Sequence, residues 1–156
     1  MARMKDLSEW ERELMLIKLK DLAPLGGTPW VKGHALNKRR VALITTAGIH
    51  RKDDQPYSDR TAAEYRVIPG ATPANDLVMS HLSSNFDRTG FQQDVNVVFP
   101  LDRLHELKAA KVIGSVADYH YAFNGSTPTP QLEPRVRQLA GLLKKDAVDA
   151  VLLTPV

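Results

Sequence analysis

Apolar positions along this chain fall into two periods. Trp10, Leu14 and Ile17, with Met15 beside them, recur at helical spacing. Ser8-Glu-Trp-Glu11 stands ahead of them as a capping box, in which the serine side chain accepts from a helix-start amide and Glu11 reaches back. The pattern predicts a helix to about Leu22, broken by Ala23-Pro-Leu-Gly-Gly-Thr-Pro29. Trp30 and Val31 are the residues expected to pin this arm to the body. Residues 1–35 therefore read as a helical arm and linker, and residues 36–156 as an α/β domain.

From Val41 the pattern changes. Val41-Ala-Leu-Ile-Thr-Thr46 is a short apolar run of β-formers, a buried strand followed by Ala47-Gly-Ile-His50. Arg51 to Thr61 is polar and reads as a loop. Tyr65-Arg-Val-Ile68 is a short strand ended by Pro69-Gly70, and Asp76 to His81 is another. Ser83 to Gly90 is dense in turn formers, and Val95 to Phe99 is ambiguous. Pro100 opens a helix with Leu101, Leu104 and Leu107 at helical spacing. Ile113 to Val116 is a minor strand or turn. Thr129 as N-cap with Pro130 after it opens a second helix, although Pro134 could delay its regular part. Leu132, Val136, Leu139, Leu142 and Leu143 make its apolar face, and Lys144 and Lys145 suit its C-terminus. Val148 to Leu153 is the last strand. Strand, helix and strand in this order predict a single α/β domain with a mainly parallel sheet flanked by helices.

Composition narrows the class. A chain of 156 residues with 43% apolar and 25% charged residues is an ordinary globular domain. The net charge of +3 is too small to argue for nucleic acid. Lys38-Arg-Arg40 reads as a solvated strand entrance rather than a phosphate contact. No apolar run approaches the length of a membrane span and no signal core opens the chain, so a cytoplasmic protein is expected. Without cysteine there is no disulfide, thiolate–metal or thiol chemistry within these residues.

The common catalytic motifs are missing: no G-x-G-x-x-G after a strand, no P-loop, no H-E-x-x-H and no G-x-S-x-G. Asn124-Gly-Ser126 matches a glycosylation sequon but reads as a turn. His50 and His81 each follow a strand, and His120 lies in the aromatic segment Asp118-Tyr-His-Tyr121. If the strands are parallel, His50 and His81 share one end of the sheet with Asp87 and Asp94. A histidine/carboxylate metal site, a hydrogen-bonding pocket and ordinary structural histidines all remain open there. Ser80 to Asn96 is the densest polar stretch, a candidate functional loop, though Phe86 and Phe91 within it call for burial. Ligands of open α/β sheets bind beyond the carboxyl ends of the strands. Thr154 and Pro155, at the end of the last strand, therefore join the candidates.

Several of these segments resemble one family. They are Ser80-His81, Asn85-Phe-Asp87, Asp94-Val-Asn-Val-Val-Phe-Pro-Leu-Asp-Arg-Leu104 and Ile113-Gly-Ser115. The Val41–Thr46 strand with Ala47-Gly-Ile-His50, and Asp149 to Val156, fit the same pattern. The chain is similar, over roughly residues 40–156, to the selenoprotein B family of glycine, sarcosine, betaine and D-proline reductases. The resemblance implies reductive cleavage of a C–N bond α to a carboxylate, with a dithiol as electron donor. It implies selenocysteine or cysteine directly after a strand like Val151-Leu-Leu-Thr-Pro-Val156, where it would be held ionised as a low-pKa nucleophile near the next helix start. It also implies a pyruvoyl-bearing partner subunit that holds the small amino-acid or amine substrate.

Under this resemblance the chain is expected to be truncated at a selenocysteine codon read as stop. It would be inactive in reduction as given, with no catalytic residue and no cofactor of its own. His50, His81, Asp87, Asp94, Asn96, Thr154 and Pro155 are then pocket residues by position, none of them a metal ligand. Two other readings stand beside it: a non-redox module that binds a small anion or a protein, and a histidine/carboxylate metal hydrolase. No nucleic-acid or membrane partner is expected. Apolar surface beside Val151–Leu153 predicts homo-oligomers.

Overall fold

The computed structural model describes residues 3–20, 27, 31–59, 63–83 and 88–156. They fall into two compact units, Met1–Val31 and Lys32–Val156. The first holds α1 (Glu9–Lys20). Its start shows one half of the expected capping box, Glu11 reaching back: the Ser8 backbone N–H donates to the Glu11 carboxylate at 3.0 Å, and the Ser8 hydroxyl, expected to accept from a helix-start amide, donates to the same carboxylate at 2.6 Å. Those two bonds hold the Glu11 carboxyl below its usual range. Trp30 lies outside the described residues.

The second unit is built on β1 (Arg40–Thr45), whose two edges are both occupied. β7 (Ala150–Thr154) runs parallel along one edge, from Val41↔Ala150 to Thr45↔Thr154. Along the other edge lie first β5 (Ser115–Val116) and then β6 (Tyr119–Phe123), both parallel to β1. β3 (Tyr65–Pro69) completes the sheet antiparallel to β6. The sheet is thus mixed: the expected parallel core carries one antiparallel edge strand, because β3 pairs with β6 rather than with β1. β6 itself, a central strand, was not among the predicted elements.

A second, two-stranded sheet pairs β2 (Ile49–Arg51) with β4 (Leu77–Met79), antiparallel, with His50 opposite Val78. This corrects the expectation that His50 and His81 end parallel strands of one sheet. Alternation on β6 sorts the cores. Tyr121 and Phe123 meet α4 (Thr129–Lys145) through Leu132, Leu139, Leu142 and Leu143. Ala122 faces the larger core with Leu43, Ile49, Ile68, Leu77, Phe99 and Leu104. Leu101 and Leu104 are the buried side of α3 (Leu101–Ala109), while Leu107 is partly exposed. A short helix α2 (Thr89–Gln93) and a 3-10 turn at Val95–Val97 precede it. α4 is capped at Pro128 rather than Thr129, and it runs unbroken through Pro134.

At the amino ends of the strands, Arg40 is a structural staple rather than a solvated cation. Its guanidinium reaches the Asp146 carboxylate at 2.5 Å, Asp118 at 3.0 Å and the Val116 carbonyl at 2.8 Å. Burial pushes the Asp146 carboxyl up, but the hydrogen bonds from Arg40 and from the Asp118 N–H outweigh it and hold Asp146 below its usual range.

Candidate functional site at the carboxyl ends of three parallel strands

β1, β6 and β7 end side by side, and the two threonines that follow each other at the end of β1 latch the end of β7. Thr45 Oγ1 donates to the Thr154 carbonyl at 3.2 Å and accepts from the Ala47 N–H at 3.1 Å. Thr46 Oγ1 accepts from the Val156 N–H at 2.8 Å and lies 3.3 Å from the Val156 carbonyl. Thr154 Oγ1 donates in turn to the Val98 carbonyl at 3.0 Å. Of the two last-strand candidates, Thr154 is therefore engaged in holding β7, and Pro155 lies between the two latched residues.

The chain then turns at Gly48, the one described glycine with a positive φ, +64°. A Cβ there would come within 2.9 Å of the His81 Cα, so only glycine fits both the backbone and the space. Gly48 N–H donates to the Phe123 carbonyl at 2.9 Å, and Ser80 N–H donates to the Gly48 carbonyl at 3.0 Å. These bonds bring the segment after β4 onto the sheet end and set His81 there, 4% exposed.

His81 Nδ1 accepts from the Ser83 N–H at 3.1 Å, so the neutral ring carries its proton on Nε2. Burial, and then the positive charge of Arg88, push its pKa below the ordinary value. The imidazole is therefore neutral at pH 7. Its Nε2 closes on Gly125, just past β6: the Cβ position of that glycine lies 2.9 Å from the Thr46 carbonyl, 3.0 Å from the Val156 carbonyl and 3.1 Å from His81 Nε2. A neutral donor thus stands beside the end of the β7 run, in the place where open α/β sheets hold ligands.

The other candidates are placed elsewhere. His50 is buried in β2, with Nδ1–H donating to the Arg51 carbonyl at 2.7 Å and its ring edge-on to Tyr57 at 6.4 Å. Tyr57 OH donates to the Ala122 carbonyl and Arg66 stacks 4.6 Å over its ring, so this is packing of the loop that follows β2. Asp94 and Asn96 bond each other and Asp102: Asn96 Nδ2 donates to Asp94 and to Asp102, both at 2.9 Å, and Asn96 Oδ1 accepts from the Asp102 N–H at 3.2 Å. Asp94 caps the start of the 3-10 turn, and Asn96 within it ties that turn to Asp102 in the first turn of α3, beside an open groove of about 410 Å³ lined by Leu77, Phe91 and Gln92. Asp87 lies outside the described residues. Among the described residues no three histidine or carboxylate side chains converge as a metal site.

Two further residues stand out in the sequence only as a histidine in an aromatic segment and as part of a turn. His120 is wholly buried and accepts from the Leu43 N–H at 2.9 Å. Asn124, at 1% exposure, directly follows β6 and precedes Gly125. Its Asn-Gly dipeptide signals only a turn, and its burial rules out glycan attachment in the folded chain.

The family model for glycine/sarcosine/betaine reductase selenoprotein B matches residues 2–156. The chain belongs to this family. It is 34% identical over 121 residues to the D-proline reductase subunit gamma of Acetoanaerobium sticklandii, covering 76% of this chain and 49% of that one. It is 32% identical over 123 residues to the glycine reductase complex component B subunit gamma of Symbiobacterium thermophilum, covering 76% and 29%. With the betaine reductase complex component B subunit beta of Peptoclostridium acidaminophilum it shares 29% over 124 residues, covering 76% and 28%. The matches span about half or less of the length of these curated relatives. No solved structure matches the chain. Among the described residues no helix is long and apolar enough to cross a membrane.

Proposed function

We propose that this chain is part of a selenoprotein B-type reductase and presents a small amino acid or amine at the carboxyl ends of β1, β6 and β7. The observation that carries this reading is His81 Nε2 closing on Gly125 beside the Val156 carbonyl. The family match supports the reaction class. The names of the relatives, subunits of multi-component reductases, support work with a partner subunit.

In this reading the redox residue implied by the resemblance, selenocysteine or cysteine, follows Val156, and His81 offers it a neutral donor. Two electrons from a dithiol and two protons convert the C–N bond into C–H and N–H, while the dithiol closes to a disulfide.

The test begins with the source DNA after the Val156 codon. A selenocysteine-type stop codon followed by an open frame is the expected result. The extended chain, purified with its partner subunit, should then consume glycine, sarcosine, betaine or D-proline only when a dithiol is supplied, and His81→Gln should slow it. A different stop codon, or no open frame, would overturn the redox reading and leave a binding module.

A further inference from the structure

Among the described residues at this sheet end, Asn124 has a buried side-chain acceptor with no hydrogen-bond partner. Its side-chain amide is anchored on one side only: Nδ2 donates to the Ser126 hydroxyl at 3.0 Å and to the Asp59 carbonyl at 3.4 Å. A carbonyl can only accept, so Asp59 settles which way the amide is turned. Oδ1 then points away from both and meets no hydrogen-bond partner, although the residue is 1% exposed. Buried amide carbonyls are almost always paired, because an unmet acceptor keeps its desolvation penalty. An acceptor left open at the end of a parallel strand is placed to receive a donor that the described residues do not supply.

The position limits what that donor can be. Asn124 bridges to Ala47 across the start of the Gly48 turn. The next residue, Gly125, meets the Thr46 and Val156 carbonyls and His81 Nε2, so its surroundings offer two acceptors beside one donor. A ligand group rich in N–H and carrying positive charge fits such a lining; a group without N–H leaves Oδ1 unmet. We infer that Asn124 is a specificity-determining residue that accepts an N–H from the ligand, and so selects a protonated primary, secondary or tertiary amino acid against a quaternary one. This inference rests on the amino-acid reductase reading.

The relatives named for glycine, sarcosine and betaine supply the probes. The full chain is titrated calorimetrically with glycine, sarcosine, N,N-dimethylglycine and betaine, a series in which the methyl count rises evenly but only betaine lacks an N–H. The expected result is a step: the first three bind within a few-fold of one another and betaine is weaker by about tenfold or more. Asn124→Leu should remove the step. In the unaltered protein the Asn124 side-chain NH₂ resonances should move with sarcosine and not with betaine, which keeps the test decisive if the variant does not fold. An even decline along the series, or equal binding of betaine, would overturn the role of Asn124 and leave the reductase reading standing. Binding of none of the four would overturn the amino-acid reading and the inference with it.

Discussion

The backbone N–H of Leu43 donates to His120 Nδ1 at 2.9 Å, in the gap where the edge of β1 passes from β5 to β6. A side chain here takes the place of a ladder carbonyl. Just before the gap, the Ala117 N–H bonds the Val41 carbonyl at 2.9 Å, and the regular pairing resumes at Ile44↔Tyr121. The imidazole must be neutral to accept this bond. Burial, chiefly, lowers its pKa to about 4.

Stability should therefore carry an acid signature from this one ring. Its folded pKa lies below the unfolded value of about 6.5. Its contribution is complete above that value and is lost as pH falls through about 4. Urea unfolding at pH 7, 5.5 and 4 should show a steep loss in the unaltered chain. His120→Ala leaves the Leu43 N–H unmet and opens a cavity, and should cost about 2–4 kcal/mol at pH 7. The gap between the two proteins should narrow toward pH 4. A gap that is independent of pH would refute the neutral-acceptor account.

Arg40 ties the start of β1 to the end of α4 through Asp146, and to the β5–β6 gap through Asp118 and the Val116 carbonyl. The guanidinium side chain is 22% exposed, so the pair is only partly screened. Arg40→Met should destabilise by about 2–3 kcal/mol, since it strands a half-buried carboxylate. The double change with Asp146→Asn should recover part of that loss. If the two losses simply add in chemical denaturation, the pair is not coupled.

Two glycines should respond to alanine with opposite signs. At Gly125 a Cβ would lie 2.9–3.1 Å from two carbonyls and His81 Nε2, and at Gly141 in α4 it would meet nothing within 4 Å. Gly141→Ala should stabilise by about 0.5–1 kcal/mol through helix propensity. Gly125→Ala should lower the melting temperature and shift the His81 ring resonances. Unchanged ring resonances in Gly125→Ala would mean that the close approach to His81 is not maintained in solution.

Much of this architecture was legible, and the failures have physical causes. β1, α3, α4 and β7 carry one period each over enough residues to be read. His120–Phe123 is buried on both faces, so it lacks alternation, and His120 looks like chemistry instead of a strand interior. The placing of His50 and His81 depended on strand direction, which hydrophobic pattern does not encode. His81 and Thr154 were named as candidates from their places at strand ends. Asn124 was not, because an Asn-Gly pair is the same signal whether the asparagine ends in water or under a loop.

The edge of the sheet should drive self-association. β7 pairs with β1 on one side only, and Val151, Leu152 and Leu153 are 39%, 40% and 64% exposed. Ala150–Val156 contains no charge that would discourage pairing with another edge. Alternate side chains of the strand point to opposite faces, so exposure of three in a row means that neither face is fully covered. Burying such a strand against a second copy would satisfy backbone groups and apolar surface together. Sedimentation velocity over a hundredfold concentration range should show dimers or larger species, and Leu153→Lys should shift them toward monomer with little change in unfolding midpoint. A clean monomer at the highest concentration would show that something else in the chain already protects this edge.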